Sequence, residues 1–286
     1  MTQALAQGAV VNSIDVAGTT VTYVDSVDPG DGRVPLVLIH GTGGTPASHF
    51  GYLFPMVATR GRVIAITLED PIGRGARPLE IADFVAQVAA AISHALGSRR
   101  AALVGYSLGA VVAAVVAAEH PDLVDSLTLV SGWAQTDAQQ ILRNDVWRQL
   151  RASGTDVIRE FTVFCAFGSP FLAARTREEI QPAIDAVVIT PFTEAQMDLN
   201  RSIDIRDSLA AIQAPTLIVG STHDQMVPVQ HQKYLFGAID DARYTEIASG
   251  HAVVFERPAE LIAVVEKFTT EPHATPAGTH IPALKP

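Results

Sequence analysis

The stretch Ala101-Ala102-Leu103-Val104-Gly105-Tyr106-Ser107-Leu108-Gly109 decides how the rest of the chain is interpreted. Its first four residues are apolar and predict a buried strand, and the Ala- and Val-rich run Leu108–Glu119 predicts a buried helix. Glycines two residues before and after Ser107 allow a sharp strand-to-helix turn, because they have no side chain to clash there. Such a turn presents the serine hydroxyl at a helix N-terminus, where backbone N–H groups favour developing negative charge. The G-x-S-x-G pattern in this setting predicts a nucleophilic Ser107 rather than an ordinary Gly-Ser turn.

Other short apolar runs predict further strands of the same kind. Continuous apolar runs are typical of strands that are buried on both faces, as parallel sheets require. A β-branched hairpin precedes them, and helical segments such as Ile81–Leu96 separate them. The predicted strands are Val10–Val16, Thr20–Val24, Val34–Ile39, Val63–Leu68, Ala101–Val104, Leu127–Val130, Thr216–Val219 and the weaker Arg243–Ile247. Strands that alternate with helices indicate an α/β fold with a mostly parallel central sheet and helices on both faces.

The alternation is interrupted between residues 133 and 208, where the sequence has no strong buried-strand run. This segment is too long for one crossover helix, and its periodicity is helical. The predicted helices are Ala138–Leu150, Thr155–Phe167, Arg177–Val188 and Glu194–Ser202. We therefore expect an inserted helical cap at 133–208, between core segments 1–132 and 209–270. The four prolines of Glu271–Pro286 predict a loose, flexible tail at 271–286.

A serine hydroxyl needs a base to take its proton, and the sequence offers one downstream. His251 follows the weak strand Arg243–Ile247, at a position where the next helix begins. Asp224 directly follows the strand Thr216–Val219 and would orient the imidazole and stabilise its charge. The carboxyl ends of parallel strands are where ligand chemistry gathers, so these residues are expected to meet Ser107. Asp137, in the loop after Leu127–Val130, is the second candidate for the acid.

The order Ser107, Asp224, His251 along the chain resembles that of the α/β-hydrolase superfamily. The resemblance spans about residues 19–268 and includes His40-Gly41-Thr42-Gly43-Gly44, which is similar to the H-G-x-G loop of that family. It implies a Ser-His-Asp catalytic triad. It also implies that the backbone N–H groups of Thr42 and Leu108 form an oxyanion hole, in which two convergent donors stabilise a tetrahedral intermediate. His40 itself is expected to hydrogen-bond the loop rather than to take part in catalysis.

Aromatic residues of the predicted cap are candidates for an apolar acyl pocket above Ser107. We single out Trp147 and Phe164 as predicted substrate-binding residues. The alternative is that they pack the cap helices on one another.

Composition excludes several classes of protein. Acidic residues outnumber basic ones 30 to 20, which gives a formal net charge of −10 and argues against a nucleic-acid partner. A single cysteine, Cys165, allows neither an internal disulfide nor a cysteine-based metal site. We expect no metal and no cofactor. The sequence shows no apolar run long enough to span a bilayer and begins without a basic, apolar leader. These features predict a cytoplasmic protein without membrane insertion; oligomeric state is not encoded in any pattern that we identify.

The resemblance implies an esterase- or lactonase-type serine hydrolase that forms an acyl-enzyme on Ser107. The expected substrate is a small or medium apolar carboxylic ester or lactone. Thioester hydrolysis, perhydrolase chemistry and C–C bond hydrolysis use the same triad and remain alternatives, although C–C hydrolases of this family usually have asparagine where Tyr106 stands. A non-hydrolytic relative, such as a lyase, a cyclase or a lactone-forming enzyme, is a further alternative.

Overall fold

The computed structural model describes residues 5–30 and 32–283, and an eight-stranded sheet forms its centre. The strands are β1 (Val10–Val16), β2 (Thr19–Asp25), β3 (Leu36–Ile39), β4 (Val63–Ile66), β5 (Ala101–Tyr106), β6 (Val124–Val130), β7 (Thr216–Ser221) and β8 (Ala242–Ile247). They lie in the order β1-β2-β4-β3-β5-β6-β7-β8. The pairs β1–β2 and β2–β4 are antiparallel, and all later pairs are parallel. The predicted α/β fold with a mostly parallel sheet is confirmed.

Helices cover both faces of the sheet and bury two apolar layers. The helices are α1 (Pro46–Phe50), α2 (Leu53–Ala58), α3 (Ile81–Leu96), α4 (Leu108–Glu119), α5 (Ala138–Ala152), α6 (Val157–Ala166), α7 (Ser169–Ala173), α8 (Arg177–Asp185), α9 (Pro191–Leu199), α10 (Arg206–Leu209), α11 (Gln230–Ala238), α12 (Val253–Glu256) and α13 (Pro258–Thr270). Helices α3, α4, α10 and α11 share one core cluster, and α1, α2, α12 and α13 share the other. Successive residues of β3 alternate between the two clusters, as the strand period of two requires. The central strands are therefore apolar on both faces.

The segment between β6 and β7 contains helices α5 to α10. Its two ends run side by side: Thr136 N–H donates to the Ile203 carbonyl at 2.9 Å, and Ile205 N–H donates to the Ala134 carbonyl at 2.8 Å. These bonds form a short neck through which the chain leaves and re-enters the sheet region. The helices beyond the neck have small apolar clusters of their own. We call the segment Thr136–Ile203 the insertion.

The C-terminal segment differs from the sequence-based expectation of a flexible tail at 271–286. Ile281 N–H donates to the Tyr244 carbonyl at 2.7 Å, and Gly278 N–H donates to the Ala242 carbonyl at 2.8 Å. Tyr244 N–H in turn donates to the Thr279 carbonyl at 3.0 Å. The reason is that β8 is the last strand of the sheet, and its outer edge offers backbone groups that need partners. Residues 278–281 therefore pair with the edge of β8, and residues 284–286 lie outside the described part of the chain.

The described helices include none whose length and apolar character would let it cross a bilayer.

Candidate active site

Ser107 lies at the turn between β5 and α4 in a strained backbone conformation. Its φ of 57° and ψ of −121° fall in a region that non-glycine residues rarely occupy. The flanking glycines are required by contact: a Cβ on Gly105 would lie 2.3 Å from the Gly109 carbonyl oxygen, and one on Gly109 would lie 2.1 Å from the Ile39 carbonyl oxygen. Steric contact with the neighbouring backbone, and not a positive φ, therefore requires glycine at positions 105 and 109. The turn has the geometry that the sequence motif predicts.

Three polar side chains form a continuous hydrogen-bonded line from the ends of three strands. The Ser107 hydroxyl lies 2.8 Å from His251 Nε2, and His251 Nδ1 lies 2.7 Å from Asp224 Oδ2. With Asp224 ionised, Nδ1–H donates to the carboxylate, and Nε2 is left as the acceptor for the serine proton. All three residues are buried, so these contacts lie in a site with little access to solvent. The arrangement fits proton transfer from Ser107 to His251.

Asp224 is fixed by its own loop as well as by the histidine. Its Oδ1 accepts hydrogen bonds from Met226 N–H and Val227 N–H, each at 2.8 Å. The carboxylate thus has partners on both oxygens. Asp137, the other candidate acid, lies elsewhere: it begins helix α5, and its Oδ2 is 3.1 Å from His231 Nε2. The structure therefore brings Asp224, and not Asp137, to His251.

Tyr106 and His49 pack beside the histidine and were not predicted from the sequence as site residues. The Tyr106 hydroxyl donates to the His251 carbonyl at 2.8 Å, and its ring lies 5.4 Å from the His251 ring. The His49 ring meets Tyr106 edge to face at 5.1 Å, and its Nδ1 accepts from Gly41 N–H at 3.1 Å. Burial lowers the pKa of His49 to about 3, with further contributions from His40 and His251, so His49 is neutral. Tyr106 occupies a variable position of the G-x-S-x-G motif, and His49 lies outside the motifs described above.

The loop after β3 lies directly against the serine. A Cβ on Gly41 would be 2.8 Å from the Ser107 Cβ, so only glycine allows this approach. His40 holds the loop: its Nδ1 is 2.9 Å from the Gly41 carbonyl oxygen, and its Nε2 accepts from Leu68 N–H at 3.0 Å. Burial lowers the pKa of His40 to about 4, and both ring nitrogens are occupied. This is the loop-bonding role that the sequence suggests.

Helix α9 of the insertion fixes the same loop from the other side. Gly43 N–H donates to Gln196 Oε1 at 2.8 Å, and the Asn200 amide, just beyond α9, donates to Thr42 Oγ1 at 2.9 Å. Gln196 is fully buried at this contact. The predicted oxyanion donors, Thr42 N–H and Leu108 N–H, therefore belong to a loop held by the insertion and to the first residue of α4. Their role stays a prediction.

A second part of the insertion closes over the histidine loop. Ala252 N–H donates to the Ala166 carbonyl at 2.8 Å. Glu256 Oε1 accepts from both Gly168 N–H at 2.8 Å and Gly250 N–H at 3.0 Å, which joins the insertion to the loop that carries His251. With α9 on one side and the α6–α7 turn on the other, the insertion leaves Ser107 only 7% exposed. The site is closed in this conformation.

The two predicted pocket aromatics lie in different surroundings. Trp147 is buried in a cluster with Ile158 and Met197, which is the packing alternative stated above. Phe164 is 58% exposed, and its role in substrate binding stays a prediction. Cys165, the next residue of α6, is buried instead, because the helix turns that face inward.

Within residues 5–30 and 32–283, no group of three or more histidine, cysteine or acidic side chains is arranged to hold a metal ion.

Comparison with known proteins agrees with this fold and identifies the family. The profile described as the Alpha/beta hydrolase family matches residues 36–264. A relative from Xenorhabdus hominickii, named pyrrolizixenacetamide deacetylase, is 30% identical over 90% of this chain and 97% of its own length. The chain belongs to the α/β-hydrolase family and is a hydrolase of that fold.

Solved structures show the same architecture at lower sequence identity. An α/β-hydrolase enzyme, MGS-M2, from a Medee basin deep-sea metagenome library superposes with a TM-score of 0.79 at 19% identity, covering 91% of this chain and 98% of that one. The enol-lactonase from Burkholderia xenovorans LB400 gives a TM-score of 0.76 at 21% identity, covering 91% of this chain and all of that one. At these identities the likeness concerns the fold alone.

Proposed function

We propose that this α/β-hydrolase cleaves small or medium acyl compounds, carboxylic esters or lactones, through an acyl-enzyme on Ser107. The observation that supports the proposal best is the hydrogen-bonded line from Ser107 through His251 to Asp224, in a buried site. In that line Nδ1 of His251 is bonded to Asp224, so Nε2, which faces Ser107, is the nitrogen that can accept a proton. The strained turn at Ser107 holds the hydroxyl at the start of α4, ready to attack.

In the proposed reaction, His251 takes the Ser107 proton while Oγ attacks the acyl carbon. The carbonyl oxygen becomes an oxyanion, which accepts hydrogen bonds from the N–H groups of Thr42 and Leu108. His251 then gives its proton to the leaving oxygen, the C–O bond breaks, and the acyl group stays on Ser107. Water attacks this ester with His251 again as the base, which releases the acid and restores the serine. Asp224 stabilises the imidazolium in both halves.

Hydrolysis of a small acyl amide is the second candidate. It uses the same steps, except that His251 protonates a leaving nitrogen. The observation that favours it is the similarity to a relative named as a deacetylase, which extends over 90% of this chain. Cleavage of an amide depends more strongly on proton donation to the leaving group, because an amine anion leaves poorly.

The test compares matched ester and amide substrates. Wild type and Ser107→Ala are assayed on 4-nitrophenyl acetate, butyrate and octanoate, on γ- and δ-lactones, on acetyl thioesters and on 4-nitroacetanilide. The proposal predicts turnover of short esters or lactones that Ser107→Ala reduces by at least about 10³-fold. Turnover of the anilide at a rate comparable with acetate would favour the amide candidate. Equal turnover by Ser107→Ala on every substrate would overturn both.

A further inference from the structure

Helix α1 turns the chain back onto residues 41–44, which we call the glycine loop, and His49 is the side chain that it places there. Thr45 begins the helix: its Oγ1 accepts from Ser48 N–H at 3.1 Å, and its own N–H donates to Ser48 Oγ at 2.8 Å. These reciprocal bonds start a helical turn directly after the glycine loop. His49 N–H then donates to the Thr45 carbonyl at 3.0 Å, which fixes His49 one turn above the start of the helix.

The His49 ring fits against two glycines of this loop. Its Nδ1 accepts from Gly41 N–H at 3.1 Å. A Cβ on Gly44 would lie 2.3 Å from His49 Cε1 and 2.4 Å from Nδ1, so a side chain at position 44 would displace the ring. A Cβ on Gly41 would lie 2.8 Å from the Ser107 Cβ. Gly41 is therefore adjacent to both the imidazole and the proposed nucleophile.

The acceptors of the glycine loop leave one of its four N–H groups unbonded. Gly41 N–H donates to His49, Gly43 N–H donates to a side chain of helix α9, and Gly44 N–H donates to the Gly41 carbonyl at 3.1 Å. In the part of the chain that the structure describes, Thr42 N–H has no acceptor. Since backbone N–H groups need partners, the unbonded one is the group available to a developing oxyanion.

The other face of the imidazole environment is Tyr106, which supports the loop of His251. The His49 and Tyr106 rings meet edge to face with their centroids 5.1 Å apart. The Tyr106 hydroxyl donates to the His251 carbonyl at 2.8 Å, and burial raises its pKa, so it stays a donor. His49 thus contacts the loop of the proposed oxyanion donor directly and the loop of the proposed base through Tyr106.

We propose that His49 is a positioning residue for the oxyanion hole: by accepting from Gly41 N–H, it fixes the glycine loop so that Thr42 N–H faces the acyl oxygen. This inference rests on the proposed acyl-enzyme function. Oxyanion donors are effective because they are in place before the charge develops. Without its acceptor, Gly41 N–H would need a new partner, and the peptide units on either side of it could rotate. Burial lowers the pKa of His49 to about 3, so Nδ1 remains an acceptor.

Two replacements separate the acceptor from the packing of the ring. His49→Phe keeps a ring against Tyr106 but has no acceptor, and His49→Asn has an oxygen in place of Nδ1 but no ring. The same two replacements at His94 are the matched control. His94 Nδ1 lies 2.9 Å from the Tyr23 hydroxyl, and these two rings also meet edge to face. His94 is at the end of α3 that leads into the start of β5, whereas Ser107 follows the end of β5.

Three quantities are measured for each variant. The first is the rate constant for phosphonylation of Ser107 by a small fluorophosphonate. The second is the inhibition constant of an alkyl trifluoromethyl ketone, whose carbonyl carbon adds the serine oxygen and whose oxygen becomes an oxyanion. The third is kcat and KM on the best short ester, with thermal unfolding alongside. The first two do not depend on the folded fraction, so a variant that is merely less stable leaves them unchanged.

His49→Phe should lower the labelling rate constant and kcat, and raise the inhibition constant, by about 10- to 100-fold, somewhat less than the loss from deleting a donor outright. KM should change little, because the displaced donor acts on the transition state. His49→Asn should keep most of the wild-type rate, and both His94 variants should match wild type. If His49→Phe does not fold, His49→Leu, which also lacks an acceptor, takes its place.

The outcomes separate this role from the proposed function. If Ser107 is labelled in wild type and His49→Phe keeps the wild-type labelling rate and inhibition constant, His49 serves folding only, and the positioning role is wrong while the hydrolase function stands. Equal impairment of His49→Phe and His49→Asn would also overturn it, because ring packing and not the acceptor would then matter. A wild type that is not labelled on Ser107 would overturn both proposals.

Discussion

At the scale of single residues, the candidate site depends on the Asp224 carboxylate, whose two oxygens both accept hydrogen bonds. Asp224 accepts from His251 through Oδ2 and from two backbone amides through Oδ1. The two amides prevent the carboxylate from rotating, so its other oxygen stays on the imidazole. This fixes the tautomer in which Nε2 accepts the serine proton. Asparagine at position 224 would replace one of these oxygens by an NH₂ group, which cannot accept a hydrogen bond from His251 or from the two amides.

Asp224→Asn should lower kcat by about 10⁴-fold while the protein remains folded, because the amide favours the wrong histidine tautomer. The assay is steady-state hydrolysis of the best ester from the substrate panel, with circular dichroism as the check on folding. Asp137→Asn is the matched control, since that carboxylate contacts His231 and not His251. If the two variants exchange these results, the acid of the proposed triad is Asp137.

His40 makes stability depend on pH, and the sign follows from its lowered pKa. The pKa of His40 is 6.5 in an unfolded chain and about 4 in the folded protein. As pH falls from 6.5 to 4, the unfolded chain binds a proton that the folded protein does not, so the free energy of unfolding decreases. One such fully buried group removes up to about 3 kcal/mol over this window.

Denaturant titrations between pH 4 and pH 7 measure this loss. His40→Gln retains an acceptor for Leu68 N–H and a donor for the Gly41 carbonyl but does not titrate. The variant should therefore show a smaller decrease of stability between pH 6.5 and 4 than wild type. Identical pH slopes for the two proteins would mean that other groups cause the dependence.

At the scale of elements, helix α9 is tied to the loop that carries the proposed oxyanion donor. Gln196 accepts from Gly43 N–H, and Asn200 donates to Thr42 Oγ1. An oxyanion hole acts through fixed donors, so a loop that is free to move stabilises the transition state less. The insertion would then contribute to catalysis by holding the loop as well as by covering the site.

Gln196→Met should reduce kcat by about 10-fold, which corresponds to about 1.4 kcal/mol, and change KM little. The reason is that the loop loses an acceptor for Gly43 N–H while the pocket keeps its volume. Gln149→Met, an exposed position on α5, is the matched control for stability and activity. A variant that is less thermostable but keeps the wild-type kcat would show that the contact only supports folding.

Elements that obey a regular pattern were predictable from the sequence, and those decided by neighbours were not. Strand β5 and its turn were predictable because glycines and an apolar run are local signals. The exposure of Phe164 was not, because two phenylalanines at spacing three in α6, Phe161 and Phe164, do not reveal from the sequence which of them meets solvent. The pairing of residues 278–281 with β8 could not be predicted, because the edge of a sheet can pair with any segment that lies beside it.

At the scale of the whole molecule, the insertion and the sheet enclose the candidate site together. The sheet brings Ser107, Asp224 and His251 to one edge, because they follow parallel strands. The insertion contacts the loops after β3 and β8, and all three side chains are buried. We therefore expect a substrate to pass the insertion on its way to Ser107, and the enclosed site to exclude water from the polar groups around the serine.

The central claim is that Ser107 is an activated nucleophile. It is tested most directly by mass spectrometry after treatment with a small fluorophosphonate. Wild type should gain one phosphonyl group, and peptide mapping should place it on Ser107. Ser107→Ala should gain none, and His251→Gln should react at least about 100-fold more slowly, because the base that activates the serine is missing. Labelling of Ser107→Ala at the wild-type rate, together with undiminished ester turnover by that variant, would contradict the account.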